Sequence, residues 1–321
     1  VLSKLGDFGA AAVQFEHCVR YAPDNPDILN NLGNALRLCG QTGKAAKVFD
    51  RALQQTPGHP ALRTNRGWLR LALSQAGAAA DDFRSALALD GDIEDAWRGL
   101  AEALMASGDL EQAASVAQQA LNKFPQSPDL LNVLGVVYNR QKKSEQALSC
   151  FQQSVKRQPD NPEALTNLGV TAEQLGELPQ AEQALQRALE ARPGYSAALF
   201  HLAHLASHAA THEEVQALED ALASASNNRE KIDLEFALGK TLAKLGDYER
   251  AFPCFISARL KLQAEQAFDL DGALAQLDAA GREALTLAPG RPERLFVVGM
   301  PRAGTTLVDQ ILAAHPAVVS Q

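Results

Sequence analysis

The chain has 321 residues and carries 30 basic and 38 acidic side chains, a net charge of −8. That balance argues against nonspecific nucleic-acid binding through a basic surface, and no apolar run approaches the roughly 20 residues of a membrane span. Charged residues make up 21% and hydrophobic residues 46% of the chain, as in a globular rather than a disordered protein. The four cysteines, Cys18, Cys39, Cys150 and Cys254, are scattered without a CxxC pair. They are expected to be core thiols in a reducing compartment, so the expected location is cytoplasmic.

From the N-terminus onward the chain repeats itself. Gly33, Gly67, Gly135 and Gly169 fall on one 34-residue grid, with Ala101 and Ala203 in the same slot. Ala45, Ala79, Ala113, Ala147 and Ala181 make a second grid, Pro23, Pro57, Pro125, Pro159 and Pro193 a third, and Phe15, Phe49, Phe83 and Phe151 a fourth. Two antiparallel helices approach closely only where side chains are small. The Phe is expected to fill the space between neighbouring units, and the Pro to stop the second helix. A period of 34 with these residues is similar to the tetratricopeptide repeat. The expected fold is an all-α tetratricopeptide α-solenoid, a right-handed superhelix, over residues 1–262. It begins with a lone second helix between Gly6 and Pro23 and continues for about seven units. The unit from Gly194 to Asn228 is degenerate, because Gly239 comes 36 residues after Ala203.

The first helix of each unit is expected to line a concave groove. Asn31, Asn65 and Asn167 share the slot two residues before the small position, and Asn30, Asn34, Asn132 and Asn139 lie on the same faces. A carboxamide donates and accepts, so such a ladder pairs with an extended peptide backbone. In this the array resembles the asparagine-lined superhelix of the protein O-linked N-acetylglucosamine transferase. Asn31, Asn34, Asn65, Asn132 and Asn167 are the candidate peptide-binding residues. Gly99, Val133, His201 and Ala237 interrupt the slot, and a merely solvated polar groove fits the same residues. His201, His204 and His208 recur at i, i+3 and i+7, one face of a continuous helix. With His212, Glu213 and Glu214 nearby they suggest zinc, but nothing fixes a fourth ligand, and no metal is expected. Trp68 and Phe200 serve either as apolar anchors for a bound segment or as packing against the neighbouring unit.

Residues 263–287 read as one or two connecting helices. Ala288 to Pro292 reads as a linker, so the region between the array and the last segment spans 263–293. Residues 294–321 then carry an apolar run, Leu295 to Val298, a Gly-bounded loop, Gly299 to Gly304, and an amphipathic stretch from Thr305. A strand, tight loop and helix N-terminus form an anion site. Thr305 stands where a nucleotide triphosphatase carries Lys, which disfavours a P-loop kinase or phosphatase. Arg302 supplies a forked cation instead.

Val298 to Leu307, followed by Ile311-Leu-Ala-Ala-His-Pro316, resembles the 5′-phosphosulfate-binding loop of sulfotransferases. It is nearest to protein-tyrosine sulfotransferases and to bacterial sulfotransferases fused to tetratricopeptide repeats. The resemblance implies that the α/β P-loop-like sulfotransferase domain starts here, with 3′-phosphoadenosine 5′-phosphosulfate as donor. It also implies that Pro301, Arg302, Ala303, Gly304, Thr305 and Thr306 form the cradle. Ala303 replaces the usual Ser, so weaker donor binding is expected. The resemblance puts the catalytic carboxylate after Gln321. Both ends are expected to be truncated, and residues 1–321 alone are expected to be inactive. A non-catalytic peptide-binding scaffold is the alternative.

Overall fold

A computed structural model describes residues 7–225 and 227–265. Fifteen α-helices fill them: α1 (Phe8–Tyr21), α2 (Pro26–Leu38), α3 (Thr42–Gln55), α4 (Pro60–Ala72), α5 (Ala76–Leu89), α6 (Glu94–Ala106), α7 (Leu110–Lys123), α8 (Pro128–Arg140), α9 (Ser144–Arg157), α10 (Pro162–Gln174), α11 (Leu178–Ala191), α12 (Ser196–His204), α13 (His212–Ser224), α14 (Asn228–Lys244) and α15 (Tyr248–Glu265). The described residues contain no strand. The region 266–293, the expected strand, loop and helix of 294–321, and the cradle Pro301–Thr306 all lie outside them. No described helix is long and apolar enough to cross a membrane.

Local signals explain the regularity. Pro26, Pro60, Pro128 and Pro162 each open a first helix, behind the caps Asn25, His59, Ser127 and Asn161. There the missing N–H is harmless and the fixed φ suits a helix. Each 13-residue first helix is followed by a left-handed residue, with Gly at 40, 108 and 176, and Gly246 plays the same part after the 17-residue α14. Ser74 and Lys142 hold the same turn with φ of 59° and 61°, so the register outweighs the strain of a Cβ there. Successive first helices touch one another, whereas successive second helices make no comparable contact. The first helices therefore form an inner layer and the second helices an outer one.

The Phe grid packs somewhat differently from expectation. Phe49, Phe83 and Phe151 are fully buried. Phe49 and Phe151 lie against Gly33 and Gly135 of their own units. A Cβ on Gly67 would meet the Phe83 ring at 2.8 Å, and a Cβ on Gly99, in the next unit, would meet it at 2.3 Å. The ring thus sits at the junction of three helices rather than only between units. The expectation of core thiols holds for Cys150 alone: Cys18 is exposed, Cys39 and Cys254 are half-exposed, and all four are free. Burial pushes the Cys150 thiol up to about 11, so it stays protonated at neutral pH.

The degenerate unit is a built irregularity. α12 stops after nine residues and packs chiefly against α14 rather than α13. Lys244 Nζ donates to the carbonyls of Leu205 (2.8 Å) and His208 (3.1 Å) past its end. A capping box formed by Thr211 and Glu214 then starts α13. His208 lies beyond α12 and does not share a helical face with His201 and His204. Its ring nitrogens sit 2.8 Å from Glu182 and 2.6 Å from Glu214, so it ties α11 to α13.

Candidate peptide-binding face

In the inner layer the residues six before, three before and one after each small position share one face of their helix, and three of them, Thr64, Asn132 and Thr166, are buried. Its asparagines are partly engaged with each other. Asn65 Nδ2 donates to Asn30 Oδ1 at 2.8 Å, joining α4 to α2. Asn167 Nδ2 donates to Asn132 Oδ1 at 3.0 Å, and Asn132 Nδ2 to Glu163 Oε1 at 3.0 Å, joining α10 to α8. Asn34 accepts from Arg37 Nη2 at 2.8 Å. Asn31 is exposed and Asn132 buried. Asn139 donates to Thr171 Oγ1 at 2.7 Å, while its own carbonyl oxygen is buried without a partner. Of the candidate residues the structure thus pairs Asn132 with Asn167 and joins Asn65 to Asn30, whereas Asn31 and Asn34 stand outside these inter-helix pairs. Each pair keeps amide capacity beyond the bond that joins it.

Between the pairs lies a charged aromatic cluster. Trp68 Nε1 donates to Asp95 Oδ2 at 2.7 Å, and its ring meets Phe83 edge-on with centroids 5.2 Å apart. The Arg98 guanidinium lies 4.5 Å over the Trp68 ring and donates to Asp95 Oδ1 at 2.6 Å. Trp68 is therefore packed on one side and covered by a cation on another. Arg98 also reaches Glu102 Oε1 at 3.4 Å. Burial pushes the Glu102 carboxyl up to about 7 against the pull of Arg98, and the carboxylates of Glu163, Asp95 and Asp129 push the same way. These four acids from α6, α8 and α10 thus share one electrostatic environment.

Sequence reasoning missed this acidic run, although its signal is periodic. Asp95, Asp129 and Glu163 are 34 residues apart, six before the small slot.

At the other end of the layer, Phe200 stacks on His204 with centroids 4.2 Å apart. It also lines a cavity of about 480 Å³ with His201, Ser196, Arg229, Glu230 and Asp233. Burial lowers the proton affinity of both His201 and His204, so these imidazoles are neutral near pH 7. Among the described residues no group of three or more His, Cys, Asp or Glu side chains is placed to hold a metal ion.

Comparison with known proteins fits this architecture. Residues 292–321 match the Sulfotransferase family. A curated protein of Aquifex aeolicus, described only as uncharacterized, is 33% identical over 123 residues, 36% of this chain. The chain spans 16% of that relative's length. Among solved structures, a human IFIT1 dimer with PPP-AAAA superposes with a TM-score of 0.58 at 17% identity, covering 81% of this chain and 70% of that one. The APC/C hetero-tetramer Cut9-Hcn1 superposes with a TM-score of 0.60 at 18% identity, covering 74% and 47%. At such identities the likeness is one of fold. Tetratricopeptide-repeat profiles match residues 2–69, 70–137 and 132–196, more than half of the sequence, and the chain belongs to the tetratricopeptide-repeat family.

Proposed function

We propose that the array is a binding scaffold that holds an extended peptide or protein segment on its inner layer. We propose also that it presents that segment to a sulfotransferase domain whose first residues are 294–321. The observation that carries the binding reading is the face of adjoining first helices, where Asn31, the Asn30–Asn65 pair and Asn167 beside the buried Asn132 keep amide hydrogen-bonding capacity. Replacing Asn31, Asn65 and Asn167 together by Ala is expected to weaken a bound segment by about 0.5–1.5 kcal/mol for each bond lost, with helical content unchanged by circular dichroism. Unchanged affinity would leave the layer a solvated surface.

The sulfotransferase reading is supported by the family match over 292–321 and by the residue types from Pro301 to Thr306. In it, 3′-phosphoadenosine 5′-phosphosulfate is the donor substrate. Arg302, with the Gly304, Thr305 and Thr306 amides and hydroxyls, binds the 5′-phosphosulfate. A carboxylate after Gln321 takes the proton of an acceptor hydroxyl, with protein tyrosine as the proposed acceptor. The test is transfer from labelled donor to tyrosine peptides by the full-length protein. Arg302→Ala is expected to reduce transfer by about 10²–10³-fold, as when one preorganised donor is lost. Arg302→Lys is expected to recover only part of it, because the fork is gone. A wild-type rate in Arg302→Ala would remove the enzyme reading and leave the non-catalytic scaffold.

A further inference from the structure

We propose that the inner layer selects a basic segment, an extended peptide whose Lys or Arg side chains recur about every third residue and pair with Asp95, Glu102, Asp129 and Glu163. This rests on the binding reading above and adds the chemical class of the segment.

Charge and spacing carry it. The acids come from three successive first helices, and Asp95, Asp129 and Glu163 hold one structural position in their units. Packed helices lie about 8–10 Å apart, a distance an extended chain covers in about three residues. Among the described residues, Asp129 and Glu163 make no ion pair, and Arg98 is already engaged with Asp95 and stacked on Trp68. Glu102 has only the 3.4 Å contact to Arg98. The face therefore holds more negative charge than its own cations balance. The amide pairs flanking it supply backbone contacts that do not depend on side-chain charge, which leaves Glu102, Asp129 and Glu163, with the exposed side of Asp95, to select.

The raised Glu102 carboxyl gives the binding a pH signature. The charged groups facing it are Arg98 and Asp95 on its own helix, Asp129 on α8 and Glu163 on α10. Arg37 on α2 lies near Asp95 and Arg98. With a carboxyl near 7, a ligand cation favours the ionised form and binding expels a proton. Affinity then rises from pH 6 to pH 8 and flattens above, a range in which Lys and Arg do not titrate.

The experiment is selection of a random 12-residue peptide display library on the whole chain at about 0.15 M salt, where charges beyond roughly 8 Å are screened. Individual peptides are then measured by anisotropy. Enrichment of Lys or Arg at about every third position is expected. Glu102→Gln with Asp129→Asn and Glu163→Gln is expected to weaken those peptides at least tenfold. Glu102→Gln alone is expected to flatten the pH profile. The matched control Glu111→Gln, Glu145→Gln and Glu190→Gln removes three exposed acids from second helices, and is expected to leave affinity within about twofold. Equal losses in the two triple variants would reduce the effect to net charge and overturn the proposal. Peptides recovered without basic enrichment, but weakened by the Asn31, Asn65 and Asn167 replacements, would overturn it while the binding reading stands. Recovery insensitive to those asparagines and to the acids would overturn both.

Discussion

Asp82→Ala is expected to lower the stability of the array by about 3–5 kcal/mol, the scale of removing one partner from a buried ion cluster. Asp82 is 3% exposed; its oxygens accept from Arg66 at 2.9 and 2.7 Å, and Oδ2 forms an ion pair with Arg70 at 2.7 Å. Arg66 also reaches Asp50 on α3 at 2.9 Å, so the cluster ties three consecutive helices. Removing the carboxylate leaves two largely buried guanidiniums with only the half-exposed Asp50 to balance them. Replacing Arg66 by Met, Asp82 by Leu and Arg70 by Leu together is expected to be far milder, because the desolvation penalty goes with the charges. Urea unfolding checks both variants. A shift in Asp82→Ala no larger than in the triple replacement would show that the cluster is not desolvated.

Gly99→Val is expected to destabilise by about 1–3 kcal/mol or more through overpacking. Its Cβ would stand 2.3 Å from two carbons of the Phe83 ring, far inside van der Waals contact. That ring is fully buried and held also by Gly67 and Trp68, so it has no room to swing aside. Phe83→Ala alone should cost about 3–5 kcal/mol by leaving a cavity, yet the pair with Gly99→Val should cost less than the sum of the two. Additive losses in a double-mutant cycle would place the clash elsewhere.

Those two clusters mark the limit of what the sequence discloses. The helices were legible because every unit solves the same packing problem with the same residues, so Gly, Ala and Pro return at fixed intervals. The Asp82 cluster occurs in one unit only: Leu100 and Val116 stand where the next unit would repeat Arg66 and Asp82. Periodicity therefore carries no trace of it. The asparagine slot was legible as a row of amides. Their pairing, 65 with 30 and 167 with 132, depends on an offset of 35 rather than 34, which only the packing of adjacent helices reveals. The histidine face failed for a similar reason. It assumed a helix running through His208, whereas α12 stops at His204 and the Lys244 ammonium caps the freed carbonyls. The loop at Pro301–Thr306 remains a reading of residue types.

The shortened α12 also bears on how the protein unfolds. In a linear array each unit is stabilised mainly by its neighbours, so cooperativity passes from one interface to the next. Helices α1 to α11 repeat that coupling almost unchanged. At α12 the pairing within a unit weakens, and the core from Leu199 to Ala251 closes largely on itself. The segment after α12 is thus expected to open as a unit before the rest does. In native-state hydrogen exchange, amides of α13 and α14 should share one low opening energy, separate from a higher common value in α4 to α10. A single value throughout would mean that the Lys244 and His208 contacts transmit cooperativity across the break.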